Sequence, residues 1–234
     1  MDSFTCPCLL GALLPRYEIS LGCRNCVVVP GSASACTVIE CPGCDLLFLD
    51  FEASSLRTHS YPIELGWSAW DSGETGSLLI RPEEIWWPFD WDPTAEALHG
   101  ISRDLIACDG VSASCAADVI LGLARGRQIV SDQLPWDGPW LNRLLSSIGE
   151  APRRVIDFDF ICWQETARLF PDGEPQGMEI SVQQARLACY GERERAIAGW
   201  PEIRHRAGPD ARRIHAGYAA VRLAVDRCSA KWRG

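Results

Sequence analysis

Three strand-like segments follow one another between residues 46 and 82, so the chain begins its fold with a sheet. LLFLDFE (46–52) is apolar up to its acids, YPIELGWSAW (61–70) alternates apolar with polar or small residues, and GSLLIRP (76–82) ends at proline. The turn-rich DSGETG between the last two predicts a hairpin, and the three together an antiparallel meander. The pattern then changes. TAEALHGIS reads as a short helix, VSASCAADVILGLARG as a longer one capped by Ser112 or Ser114, and RQIVSD (127–132) as a buried strand. A helix over WDGPWLNRLLSSIG, a strand over RRVIDFD (153–159) and helices through QETARLF, SVQQARLACYG and DARRIHAGYAAVRLAVDRC complete the chain. Strands first, then strand and helix in alternation, indicate an α/β domain with a mixed central sheet flanked by helices.

The chain has 234 residues, 47% of them hydrophobic, enough for one sizeable core. No apolar run approaches the ~18 residues of a membrane span, and the first twenty residues lack the basic start of a secretory signal. A cytoplasmic location away from membranes is therefore expected. The net charge of −9 is unevenly spread: residues 45–180 carry 9 basic against 23 acidic side chains, residues 181–234 carry 11 against 5. An acidic body with a basic C-terminal segment suits a metal-dependent enzyme acting on a polyanion, and equally a solvated, arginine-rich helical face.

Within LLFLDFE, residues two apart share a face, so Asp50 and Glu52 lie side by side. Two like charges there would raise each other's pKa unless cations sat between them, and oxygen-ligated Mg²⁺ is the natural choice. An edge strand with its acids facing water is the alternative. Asp137, at the start of the helix after the buried strand, offers a third carboxylate, with Asp132 as its competitor. Farther on, HRAGPDARRIHAGYAAV places His205 and Asp210 five residues apart ahead of a long amphipathic helix.

The ordered set DFE, then D-x-x-W-L, then H-x-A-x-x-D resembles the DEDDh family of 3′-to-5′ exonucleases, that of RNase T and the DNA polymerase proofreading subunits. The resemblance runs from about Leu46 to about Arg227. HRAGPD fits the third motif at every defined position, whereas in the middle motif SDQLP replaces the usual His-Asn. The resemblance implies an RNase H-like fold. It also implies that Asp50, Glu52, Asp137 and Asp210 hold two divalent ions, Mg²⁺ or Mn²⁺, and that His205 is the general base. Single-stranded nucleic acid would be hydrolysed from its 3′ end to nucleoside 5′-monophosphates, with RNA slightly preferred to DNA. A catalytically inactive nucleic-acid-binding module on the same fold is the alternative, and a homodimer would match other members.

Substrate contacts are expected from Ala53 and Ser54 beside the first motif, and from the HGIS element through His99 and Ile101. The aromatic run IWWPFDWDP (85–93), represented by Trp87, offers stacking surface, and Arg206 beside the third motif offers a phosphate contact. The competing reading is that most of these aromatics close the sheet edge.

Residues 1–44 stand apart, with seven of the twelve cysteines. Cys23, Cys26, Cys41 and Cys44 have the spacing of a four-cysteine zinc ribbon, although a loosely packed extension is the favoured reading. A boundary near Cys44 separates them from the domain at 45–234. The later cysteines, Cys108, Cys115, Cys162, Cys189 and Cys228, read as small packing residues.

Overall fold

A computed structural model of the chain describes residues 45–201 and 205–232. The Cys-rich segment, with the four cysteines spaced like a zinc ribbon and the proposed boundary, lies outside the described residues. Among the described residues, six strands form one mixed sheet: β1 (Leu46–Ala53), β2 (Pro62–Ala69), β3 (Thr75–Arg81), β4 (Val111–Ser112), β5 (Gln128–Ser131) and β6 (Val155–Asp157). Their order across the sheet is β4-β3-β2-β1-β5-β6. The meander is as expected, with β2 antiparallel to both β1 and β3, while β5 and β6 add in parallel beside β1. This is the mixed sheet flanked by helices that the sequence indicates.

Helices cover both faces because β1 is apolar on both. Leu47, Leu49 and Phe51 enter one core with α3 (Ala113–Leu123) and α4 (Leu134–Ser146). Leu46 and Phe48 enter the other, with α5 (Phe158–Glu165), α6 (Glu179–Tyr190) and α8 (Ala207–Trp232). Asp50 and Glu52 continue the Leu46–Phe48 face, so alternation aims them toward the side where α8 lies. Contact between α8 and the sheet is close because Gly66 of β2 has no side chain. A Cβ there would fall 2.0 Å from the Ala207 carbonyl carbon and 2.3 Å from the Gly208 nitrogen.

Helix starts follow their caps. Ser112, not Ser114, caps α3 by accepting the Cys115 N–H. The strand expected over 153–159 ends at Asp157, whose carboxylate accepts the Phe160 N–H and starts α5 within the apolar run. Two short helices, α2 (Arg103–Asp109) and α7 (Glu192–Ala198), join the expected set, as does α1 (Pro93–His99) over the segment read as a short helix. Cys162 and Cys189 are buried, as a packing role requires, but Cys108 is exposed.

Candidate active site

The C-terminal half of β1 and the starts of α4 and α8 converge on a cleft of about 390 Å³. Asp50, Glu52, Asp137, His205 and Asp210 all line it. Four carboxylates and a histidine from three separate stretches of chain therefore meet, as the motifs imply. Asp50, Glu52 and Asp210 can each place an oxygen within 4.8 Å of the others. Asp50 is 8% exposed, Asp137 1% and Asp210 6%.

Like charges packed this closely resist ionisation. Burial, then the charges of Asp137, Glu52, Asp210 and Asp132, hold Asp50 well above the usual carboxylate range. Burial, Asp210, Glu64 and Asp137 push Glu52 up to about 8, against the lowering effect of Arg206. Asp137 is also pushed up to about 8 by burial and Asp132, although a hydrogen bond from Ser131 opposes the shift. One Asp137 oxygen, Oδ2, accepts that Ser131 hydroxyl. The other, Oδ1, is buried with no protein partner. An orphaned buried carboxylate oxygen beside three clustered acids is a donor set fit for hard divalent cations, which take oxygen ligands and offset the repulsion.

Asp210 is oriented from both sides. Its Oδ2 accepts the main-chain N–H of His205 at 2.8 Å, and its Oδ1 accepts Arg213 Nε at 2.7 Å. His205 occupies left-handed backbone space at φ 62°, with its ring exposed at the cleft. A histidine at this φ is uncommon and marks a turn held by its surroundings.

The expected substrate contacts divide. Ala53 and His99 line the cleft. His99 Nδ1 accepts the Ile101 N–H at 3.0 Å, and burial pushes the ring's pKa down, so its role in HGIS is as a neutral acceptor that shapes the turn. Ile101 is 0% exposed and belongs to the core, leaving no face for a base. Ser54 is 1% exposed, and its Oγ accepts the Tyr61 N–H. Trp87 packs against the core beneath Arg103, 5.9 Å from its ring centre. The tryptophans that do line the cleft, beside Phe51 of β1, are Trp136 and Trp140 of α4, stacked 5.9 Å apart, with Trp140 Nε1 donating to Ser60 Oγ.

Arg206 is not turned toward the cleft. Its Nε and Nη2 donate to the two oxygens of Glu64 at 2.9 and 2.8 Å, and Glu64 also accepts the Ala207 N–H. Glu64 lies directly opposite Glu52 across β1 and β2, so Arg206 offsets a repulsive cross-strand pair. Ser55 and the exposed Leu56 and Leu98, not singled out from sequence, also line the cleft, as does Arg213, one of the arginines clustered around the third motif that the sequence offers as phosphate contacts. Leu56 and Leu98 flank DFEASS and HGIS, and an apolar residue beside each motif was the available signal.

A mixed sheet in this order, with Asp50 and Glu52 on a central strand and helices on both faces, has an RNase H-like fold. Solved structures with the same fold are exonucleases. One is E. coli exonuclease I with single-stranded DNA in a zinc-bound form: 17% identity, 79% of this chain, 41% of that one, TM-score 0.54. Exonuclease I of Methylocaldum szegediense matches at 17% identity over 79% and 41%, with TM-score 0.51. A 3′-exonuclease in 3′-end-specific recognition of a histone mRNA stem-loop matches at 14% over 79% and 65%, with TM-score 0.50. This chain thus spans well under half the length of the exonuclease I structures. No family model and no curated protein sequence matches it.

Proposed function

We propose that the chain is a 3′-to-5′ exonuclease that removes nucleotides from single-stranded nucleic acid. Asp50, Glu52, Asp137 and Asp210 would hold two divalent ions, Mg²⁺ or Mn²⁺. The observation that carries this reading is the meeting of Asp50, Glu52 and Asp210 within 4.8 Å in a cleft that also holds Asp137 and His205. A fold invests buried, mutually repelling carboxylates in one place when cations complete them. Bound there, divalent ions supply the positive charge that lets a polyanion approach and that stabilises charge building on the reacting phosphate.

The chain's own groups supply the rest. His205, exposed on its turn, accepts a proton from the attacking water. As the water oxygen bonds to phosphorus, the bond from phosphorus to the 3′ oxygen of the preceding nucleotide breaks. That oxygen takes a proton from solvent, and a nucleoside 5′-monophosphate leaves. Leu56, Leu98 and Trp136 give the cleft apolar surface on which a terminal base can pack without sequence preference. Fixed walls of this kind suit a chain end better than an internal segment.

The test is digestion of single-stranded RNA and DNA labelled separately at each end, with Mg²⁺ or Mn²⁺. The expected result is a ladder shortening from the 3′ end with the 5′ label and immediate mononucleotide release with the 3′ label. Early internal fragments, or mononucleotide released first from the 5′ label, would contradict it. Binding without cleavage by folded protein would favour the inactive binding module.

A further inference from the structure

One arginine sits inside the carboxylate cluster. Arg213 lies one turn beyond Asp210 on α8, and its side chain is 8% exposed. Its Nε donates to Asp210 Oδ1 at 2.7 Å, and its Nη2 donates to Asp132 Oδ2 at 2.9 Å. Asp132 follows β5 directly and belongs to SDQLP, the segment in which the sequence departs from the His-Asn of the family it resembles. A single guanidinium therefore ties the end of β5 to the first turn of α8, across 81 residues of sequence.

Three roles compete for such a residue: a phosphate contact, a cation that bound metal must displace, or a brace for Asp210. Enclosure argues against the first, since a guanidinium this buried and committed to two carboxylates has little surface for a polyanion. The directions of its donors argue for the third. A planar fork holds each acceptor along a fixed line and does not lose its proton, whereas an ammonium would swing. The His205 N–H fixes the other Asp210 oxygen, so both ends of this carboxylate are set by protein donors. Each oxygen accepts more than one bond, which leaves coordination directions for a cation. Asp132 is itself partly enclosed, and its charge adds to the field on Asp50 and Asp137. Pairing with Arg213 offsets a charge that would otherwise crowd the site.

We propose that Arg213, anchored by Asp132, is a positioning residue that sets the Asp210 carboxylate for divalent-ion binding. This rests on the reading of Asp210 as a metal ligand. Groups that orient ligands in this way typically govern metal affinity or activity by about 10- to 100-fold.

The test is calorimetric titration of the full chain with Mn²⁺, beside steady-state kinetics on a single-stranded oligonucleotide. Arg213→Gln and Asp132→Asn should each weaken Mn²⁺ binding about 10- to 100-fold and lower kcat, with KM for the oligonucleotide within twofold of wild type. Combined, they should lose little more than Arg213→Gln alone, because they cut one tether. Arg213→Lys should recover only part of the loss, since one ammonium cannot reproduce the fork. Should Arg213→Gln not fold, Asp132→Asn gives the same readout with the arginine in place. Unchanged or tighter Mn²⁺ binding in the folded variants would overturn the proposal, as would a raised KM with unchanged affinity, which would mark a phosphate contact. Asp210→Asn separates the two readings. Wild-type protein that binds no Mn²⁺ would remove the metal site itself. Binding lost in Asp210→Asn but kept in Arg213→Gln and Asp132→Asn would remove the positioning role alone.

Discussion

The main-chain N–H of His205 donates to Asp210 Oδ2 at 2.8 Å, so the general-base candidate and a carboxylate ligand candidate are locked in one turn. The bond holds His205 at φ 62°, a conformation that costs an L-residue about 1–2 kcal/mol and glycine almost nothing. His205→Ala and His205→Gly should therefore lose similar rate, about 10²- to 10⁴-fold. Only the alanine variant keeps the backbone strain, so His205→Gly should melt no lower than His205→Ala. Rate assays with thermal unfolding of both variants check this, and wild-type rates in either would remove His205 from the chemistry.

The clustered acids make metal-free stability depend on pH with a definite sign. Glu52 and Asp137 are pushed from ordinary carboxylate values up to about 8, so the folded state binds protons that the unfolded state releases. Their contribution is fully present below about pH 4 and is lost as pH rises through about 8. Chelator-treated protein should melt progressively lower between pH 6 and pH 9. Added Mg²⁺ or Mn²⁺ should raise the melting temperature more at pH 8.5 than at pH 6, because fewer protons then compete for the ligands. Thermal unfolding across this range checks both, and a metal-free protein that gains stability toward pH 9 would contradict the cluster's electrostatics.

Asp137→Asn should separate stability from function. It removes a buried charge while an amide oxygen remains to accept from Ser131. Metal-free protein carrying it should melt at or above the wild-type temperature at pH 8.5, with exonuclease activity abolished. A large loss of stability with activity retained would show that Asp137 is an ordinary structural acid.

Glu64 and Arg206 form a structural pair. Glu64 is 1% exposed and accepts three hydrogen bonds, two of them from the guanidinium. Arg206→Ala should destabilise by about 3–5 kcal/mol, because it leaves the buried Glu64 carboxylate unpaired opposite Glu52, and Glu64→Ala by less, because the arginine it leaves is 39% exposed and can be hydrated. Folded Arg206→Ala should keep an oligonucleotide KM within twofold of wild type, measurable by steady-state kinetics. A much higher KM would restore Arg206 as a phosphate contact.

The relationships that escaped the sequence are long-range ones. The DFE strand, the hairpin and the H-x-A-x-x-D turn are local patterns, and they place Asp50, Glu52, His205 and Asp210 where the structure has them. Arg206 reads as a phosphate contact because nothing near it in sequence reveals Glu64, 142 residues away. The pairing of Arg213 is hidden for the same reason: Asp132 lies 81 residues away, in the very segment that departs from the family pattern. Ile101 and Trp87 are apolar residues whose burial is decided by tertiary packing, and the same packing brings Trp136 and Trp140 of α4 to the cleft. The shortened β6 has a local cause, Asp157, whose capping bond outweighs the strand preference of the apolar residues after it.

The most direct measurement is a time course on 5′-labelled single-stranded RNA as Mn²⁺ is titrated from zero, with wild-type protein beside Asp210→Asn. Nucleotide-by-nucleotide shortening from the 3′ end that needs Mn²⁺ and is absent in folded Asp210→Asn is the expected result. Equal shortening without divalent metal, or in Asp210→Asn, would contradict a metal-dependent exonuclease site at these carboxylates.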